Sequence, residues 1–276
     1  MRIAILADIH GNLAALEAAL ERMALLEVDQ LVVAGDIVVG APDSLACWER
    51  VKALGCPVLR GNHERYVFDL GTERAKPEWS SRQFGPVQWA AAQLGEANRR
   101  ELAALPGTLK IAGADDVLFV HGSARNDTDL IFPYTSDAEI APMFTGFAEK
   151  WIVRGHNHYA GVRLWGERRI VTTGSVGLAL DGTVKAQFAV VERRGGSGSE
   201  WRLEHHAVAY DVAATLRRAR ESEYVEKAGP IARLFMREVE TAAFHILPFQ
   251  QFNAALVKAG KTLPLEQAVE AFMRRE

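Results

Sequence analysis

The sequence predicts an α/β protein, a sandwich of two stacked β-sheets flanked by helices and followed by a helical extension. Three observations carry this reading. The first part of the chain alternates strand and helix, the middle returns to short strands that pair as hairpins, and everything from about Asp211 onward has helical spacing.

Ile3–Ala7 is a short β-type apolar run. Asn12 is placed to N-cap a helix reaching about Glu27, with Leu13, Leu16, Leu20 and Met23 at helical spacing. Leu31–Ala34 forms the second strand. Asp43 or Ser44 caps a second helix that stops near Gly55, and Pro57 opens a third strand at Val58-Leu59. Strand–helix–strand units with parallel crossovers give one sheet with helices against it. From Glu64 to Leu105 the pattern is helical and irregular, broken by Gly71, Pro77, Gly85 and Gly95, and this insertion should border any site built at the strand ends.

Strands resume at about 108–112, 116–121 and 151–154. Runs 161–165 and 169–173 form a hairpin across Gly166-Glu167-Arg168. Runs 184–192 and 201–209 form another, whose Gly195–Ser199 segment is read as a hairpin tip and not as a domain linker. These later strands are expected to build a second, antiparallel or mixed sheet against the first. In the tail, Leu216, then Ile231, Leu234, Phe235 and Val239, then Phe249, Phe252 and Leu256, then Leu265, Val269 and Phe272 make apolar stripes that need a surface to cover. The expected organisation is a catalytic domain over residues 1–209 and a helical extension over 210–276, packed on it or at a subunit interface. Arg217, Arg218 and Arg220 read as a solvated helix face.

Composition narrows the function. A net charge of −3 gives no global attraction to nucleic acid or an anionic membrane, so phosphate recognition must be local and a nucleic-acid partner is disfavoured. No apolar run approaches the ~18–20 residues of a membrane span, and no basic, apolar leader precedes the first strand. A cytoplasmic enzyme is expected. Cys47 and Cys56 are too few for a disulfide framework and lack zinc-motif spacing, so they are assigned no role.

The chemistry lies where strands stop. The first strand ends in Asp8-Ile9-His10, the second in Gly35-Asp36, the third in Arg60-Gly61-Asn62-His63-Glu64. The 116–121 strand ends in His121, and the 151–154 strand runs into Gly155-His156-Asn157-His158. Ligands in open α/β sheets gather outside the carboxyl ends of strands. Asp8 and His10, two apart on what reads as an extended end, should project to one side, as should His156 and His158. A carboxylate at Asp36 has two oxygens and can bridge two cations, Gly35 lets backbone come close, and Asn62 offers a neutral carbonyl oxygen. Gly122, after His121, leaves room for a ligand. Singly each has an ordinary structural reading, as a cap, a turn or a hydrogen-bonded core histidine. Together they hold five of the eight histidines at strand ends, which describes a metal centre; His205, His206 and His245 lie elsewhere.

This ordered set closely resembles the calcineurin-like metallophosphoesterase superfamily over about residues 1–175, and within it the small bacterial phosphodiesterase branch. The resemblance implies an αββα sandwich with two metal ions where the sheets meet. It implies that Asp8, His10, Asp36 and His158 hold one ion, and that Asp36, Asn62, His121 and His156 hold the other. His63 would be the catalytic histidine, donating a proton or hydrogen bond to the leaving oxygen. Arg60, just before that motif, reads either as steadying Glu64 or the phosphate or as a structural residue. The nitrogen and oxygen donors, without thiolate, suit manganese, iron, zinc or nickel, with manganese favoured. Two such ions would lower the pKa of a bridging water and clamp the attacking and leaving oxygens. Asp36-Ile37-Val38-Val39-Gly40 departs from two relatives: protein phosphatases usually carry Arg where Gly40 stands, and many diesterases carry Tyr in this loop. Stacking could come instead from Tyr66, Phe68, Trp79, Phe84, Phe132 or Tyr134, for which packing is the plainer reading.

The implied activity is metal-dependent hydrolysis of phosphodiester bonds in small or nucleotide-derived substrates. The alternatives are a phosphomonoesterase or dinucleoside polyphosphate hydrolase on the same centre, a non-catalytic scaffold of the same fold, and a repair-type nuclease. A homo-oligomer is compatible with the apolar tail.

Overall fold

The computed structural model describes residues 1–195 and 200–275. The predicted hairpin tip therefore falls largely outside the described residues. In chain order the elements are β1 Arg2–Leu6, α1 Leu13–Ala24, β2 Gln30–Ala34, α2 Ser44–Ala53, β3 Val58–Leu59, α3 Asn62–Asp69 and α4 Gly85–Ala103. There follow β4 Thr108–Leu109, β5 Val117–Val120, α5 Asp137–Ile140, β6 Trp151–Arg154, β7 Ala160–Trp165, β8 Arg168–Thr173, β9 Ala186–Glu192 and β10 Arg202–Val208. The tail is α6 Val212–Glu221, α7 Tyr224–Ala228, α8 Pro230–Thr241, α9 Ile246–Lys258 and α10 Leu265–Met273.

Two five-stranded mixed sheets result, with strand orders β10-β9-β1-β2-β3 and β4-β5-β6-β8-β7. The first contains parallel β1, β2 and β3, and the second parallel β5, β6 and β8. One expectation is corrected. The β9–β10 hairpin does not join the second sheet; β9 pairs antiparallel with β1, so the last strands complete the first sheet. Both β1 and β9 are apolar on both faces, and two-sided burial marks a central strand without saying which neighbour lies beside it.

Alternation along the strands sorts the core. Ile3, Ile5, Val32 and Leu59 face Val117, Phe119, Val153 and Val171 between the sheets. Ala4, Leu6 and Val33 face the other way, onto Leu16, Ala19 and Met23 of α1, Trp48 and Val51 of α2, and Leu94 of α4. The outer face of the second sheet, Leu118, Val120, Ile152 and Ile170, packs against Ile131, Ile140 and Phe144. Asn12 caps α1 as predicted, accepting from Ala15 N at 3.3 Å. Asp43 precedes α2 but gives its carboxylate to Arg218 at 2.8 Å instead of capping, while Ser44 Oγ accepts from Val39 N.

The tail helices close over the first sheet's helical side. Tyr224, Leu234, Phe235, Phe249 and Phe272 form a third cluster that includes Ala41 and Leu178, both from loops beside the strand ends. Buried Tyr224 Oη donates to Gly40 O at 2.7 Å, tying α7 to the loop after β2. Among the described residues, no helix is long and apolar enough to cross a membrane. Cys47 is buried in α2 and Cys56 is half-buried; neither pairs.

Candidate metal centre

The parallel strands β1, β2, β3, β5 and β6 all end on one side, and hydrogen bonding continues past the first two. Asp8 N donates to Gly35 O (3.0 Å), His10 N to Asp36 O (2.9 Å) and Gly11 N to Ile37 O (2.9 Å). The segments are not extended, as the spacing argument supposed. Asp8, His10, Asp36, His156 and His158 all have positive φ, between 52° and 70°. Side chains two apart still converge, but through left-handed turns. Non-glycine residues held there cost about 1–3 kcal/mol each, and such strain gathers at functional sites. Gly35 and Gly61 let the β2 and β3 exits touch: a Cβ on Gly35 would stand 2.5 Å from Gly61 N, and one on Gly61 would stand 2.2 Å from Asp36 Oδ1.

The side chains so delivered form two groups that share Asp36. Asp8, His10, Asp36 and His158 bring ligand atoms within 4.8 Å of one another, and so do Asp36, His121 and His156. Asn62 joins the second group, its Oδ1 lying 3.1 Å from His121 Nε2. Backbone carbonyls orient three imidazoles. His10 Nδ1 faces Val39 O at 2.7 Å, His121 Nδ1 faces Ala34 O at 2.8 Å, and His158 Nδ1 faces Leu178 O at 2.7 Å. Each carbonyl holds the Nδ1 proton, so Nε2 is the atom presented to the centre. There His10 Nε2 and His158 Nε2 meet at 3.0 Å, and His121 Nε2 lies 3.1 Å from Asp36 Oδ2.

Charge follows from this crowding. Burial, reinforced by the Asp36 charge, pushes Asp8 up to about 8 against the pull of His121. Burial would raise Asp36 too, but His121, His63 and His10 hold it well below the usual carboxylate range. Burial opposes a charge on His121, yet Asp36 and Asp8 raise it to about 9. His158 falls to about 4 and His10 and His156 fall well below the ordinary value, chiefly through burial. The carboxylates draw positive charge to their midst while most imidazoles stay neutral, with lone pairs free. Asp36 Oδ2 is buried without a well-aligned hydrogen bond. An acceptor so placed, among imidazole nitrogens and an amide oxygen, fits a divalent cation of the harder, nitrogen- and oxygen-binding kind.

His63 stands beside these groups. Its backbone N–H donates to Asp36 Oδ1 at 2.9 Å, its Nε2 is 3.9 Å from Asp36 Oδ2, and its ring meets His10 edge-on at 4.8 Å. Burial lowers its pKa, with Asp36 opposing. Arg60 turns away from Glu64: its guanidinium donates to Leu105 O at 3.2 Å and lies over Phe68. Gly122 leaves no space for a ligand either. A Cβ there would stand 2.7 Å from the Asp127 backbone, so the space belongs to the following loop.

Sequence reasoning missed the residues that fasten the centre. Glu64 Oε1 accepts from Ile37 N (2.7 Å) and Val38 N (3.2 Å), and Oε2 accepts from Asp36 N (2.8 Å) and Gly61 N (2.7 Å). Burial and the Asp36 charge push Glu64 up to about 7 against those donors. Its position as third residue of α3, accepting from the Gly61 N–H, is one half of a capping box, and a Glu at that position is a signal that could have been read. Arg154, fully buried, donates to Gly122 O at 2.6 Å and Asp129 O at 2.7 Å, and reaches Asn157 between the paired histidines. No local pattern announces it. Of the remaining histidines, His205 meets Thr172 O, His206 stacks on Phe188, and His245 meets Thr241.

The calcineurin-like phosphoesterase superfamily domain matches residues 1–196. The chain belongs to this superfamily. As a calcineurin-like phosphoesterase it comes from a family that works on phosphate esters with divalent metal ions. A metallophosphoesterase from Sphaerobacter thermophilus is 26% identical, with a TM-score of 0.68 over 88% of this chain and 100% of that one. A hypothetical protein from Pyrococcus horikoshii OT3 is 20% identical, with a TM-score of 0.70 over 88% of this chain and 99% of that one, a likeness of fold. An uncharacterised protein of Methanocaldococcus jannaschii is 25% identical over 249 residues, 85% of this chain and 97% of the relative. The superfamily match stops before α6, so the tail helices lie outside it.

Proposed function

We propose that this calcineurin-like phosphoesterase hydrolyses phosphodiester bonds of small or nucleotide-derived substrates with two divalent metal ions, manganese favoured. The observation that carries the reading is Asp36: one buried carboxylate common to two clusters of inward-directed imidazoles. In this proposal Asp8, His10, Asp36 and His158 hold one ion, and Asp36, Asn62, His121 and His156 hold the other. Bound ions would supply Lewis-acid charge for the phosphate oxygens and activate water as the nucleophile.

The chain's own groups do the rest. Asn62 and neutral imidazoles add no negative charge, so the only anionic ligands are Asp8 and Asp36, and the loaded site stays attractive to an anion. His63 sits beside the clusters without belonging to either, with one face toward the cleft. A phosphate anion next to its ring favours the protonated form, against the lowering due to burial. From there it donates a hydrogen bond, and then a proton, to the leaving oxygen, worth about 10²–10⁴ in rate. Arg60, occupied with Leu105 O, is better read as a brace for the β3 exit than as a phosphate ligand. Residues 1–209 are the proposed catalytic domain, with 210–276 as an extension docked on its ligand loops.

The test is metal analysis of the full chain, followed by turnover of bis(p-nitrophenyl) phosphate against p-nitrophenyl phosphate. Two equivalents of metal and faster diester cleavage are expected. Faster monoester cleavage would move the assignment to a phosphomonoesterase, and metal-replete protein inert to both esters would leave a scaffold.

A further inference from the structure

A cleft of about 390 Å³ opens beside His63, between the segment after β3 and the tail helices. One wall is a run of aromatic rings. The His63 ring meets Tyr66 edge-on at 5.4 Å, Tyr66 meets Trp79 at 5.1 Å, and Trp79 stacks with Phe84 at 5.8 Å. The facing wall comes from α8 and α9 through Ile231, Phe235 and Ile246. That wall lies beyond the superfamily match, so the cleft is completed by elements that the superfamily domain does not include.

Charge is kept from the interior. Lys76 and Glu78, of opposite sign, stand exposed at the margin. Arg65, at the His63 end, is taken up by Asp127 in a two-point pair, with both contacts at 2.7 Å. A sugar or polyol placed here would find Gln83, Thr128 and Gln250 for some of its hydroxyls but would set the rest against the aromatic run and the Ile231–Phe235 wall. A charged group would meet only the exposed Lys76 and Glu78 at the margin, where solvent and salt screen their charge. A flat ring suits the space: it can bury both faces against aliphatic and aromatic side chains and present its edge to the Tyr66 and Trp79 rings.

We propose that this cleft receives the organic leaving group of the ester and selects a flat, uncharged aromatic one. The assignment rests on the phosphoesterase reading of the adjacent centre, because His63 places the leaving oxygen at the cleft's mouth.

The test is calorimetric binding of non-hydrolysable phosphonates to the manganese-loaded full chain. The probes are methylphosphonate, 1-naphthylmethylphosphonate and a phosphonate carrying adenine on a two-carbon arm. At least one aromatic probe should bind about tenfold or more tightly than methylphosphonate, and the better of the two tells a plain ring from a nucleobase. Ile246→Trp and Gln250→Trp, at half-buried and exposed lining positions, should fill the cleft and cut that preference to about twofold or less. Leu247→Trp, on the neighbouring exposed face of α9, should keep it. Equal affinities in the wild type, or a preference untouched in both filling variants, overturns the cleft assignment alone. Wild-type protein that binds no phosphonate and cleaves no ester overturns the phosphoesterase reading, and this one with it.

Discussion

Glu64 holds Asp36 by the backbone: its Oε2 accepts from Asp36 N at 2.8 Å while Oε1 accepts from Ile37 N at 2.7 Å. The shared carboxylate is thus positioned by a second carboxylate that never enters the centre. Glu64→Ala would strand four buried N–H groups, those of Asp36, Ile37, Val38 and Gly61. The expected loss is about 3–5 kcal/mol in urea unfolding. Glu64→Gln, which keeps one acceptor oxygen, should fall between. An unchanged midpoint in both would remove Glu64 as the fastening.

Asp36 and His158 should differ in what they release. Asp36→Asn, which tolerates a left-handed backbone, should lower occupancy of both proposed metal positions, whereas His158→Asn should lower only one. Elemental analysis of dialysed protein reads this directly. Equal losses in the two variants would contradict the sharing of Asp36.

His63→Ala should slow ester turnover by about 10²–10⁴ while metal content stays near the wild-type value. A fall in bound metal would make His63 a ligand and require another proton donor.

Glu238 offers a pH dependence well away from the centre. Buried on α8, its Oε1 accepts from His245 N and Ile246 N, both at 2.8 Å, and burial pushes its pKa up to about 7 against those donors. The folded protein keeps a proton that the unfolded chain releases near the ordinary 4.5. This contribution is therefore complete below about 4.5 and is lost as pH rises toward 7, by an upper bound of order 3 kcal/mol. Glu238→Gln can keep both hydrogen bonds and cannot ionise. Its melting temperature should match the wild type at pH 4.5 and exceed it by roughly 5–10 °C at pH 8. Parallel melting curves at both pH values would sink the claim.

Much of this was legible in the chain because the informative residues sit at strand tips, where local pattern and position in the fold coincide. Asp8, Asp36, His121 and the His156–His158 pair stand out as polar endings of apolar runs. What escaped is non-local. The pairing of β9 with β1 depends on a partner more than 180 residues away, and nothing within Ala186–Glu192 distinguishes one sheet from the other. The left-handed turns at five candidate ligand positions escaped for another reason. Asp and His carry no compulsory signal for positive φ, and the tertiary hydrogen bonds that impose it join separate strand exits. Buried Arg154 looks like the end of a strand until the loop it braces has folded around it.

The ladder that runs on past β1 and β2 has a consequence for assembly. Gly35, Asp36 and Ile37 accept the N–H groups of Asp8, His10 and Gly11, so backbone hydrogen bonds hold the candidate ligands in place independently of an ion. Capture of an ion then demands little further ordering, in contrast to small domains that fold only around their metal. Prolonged chelation should leave the far-ultraviolet dichroism intact, and readdition should restore the loaded form without a refolding lag.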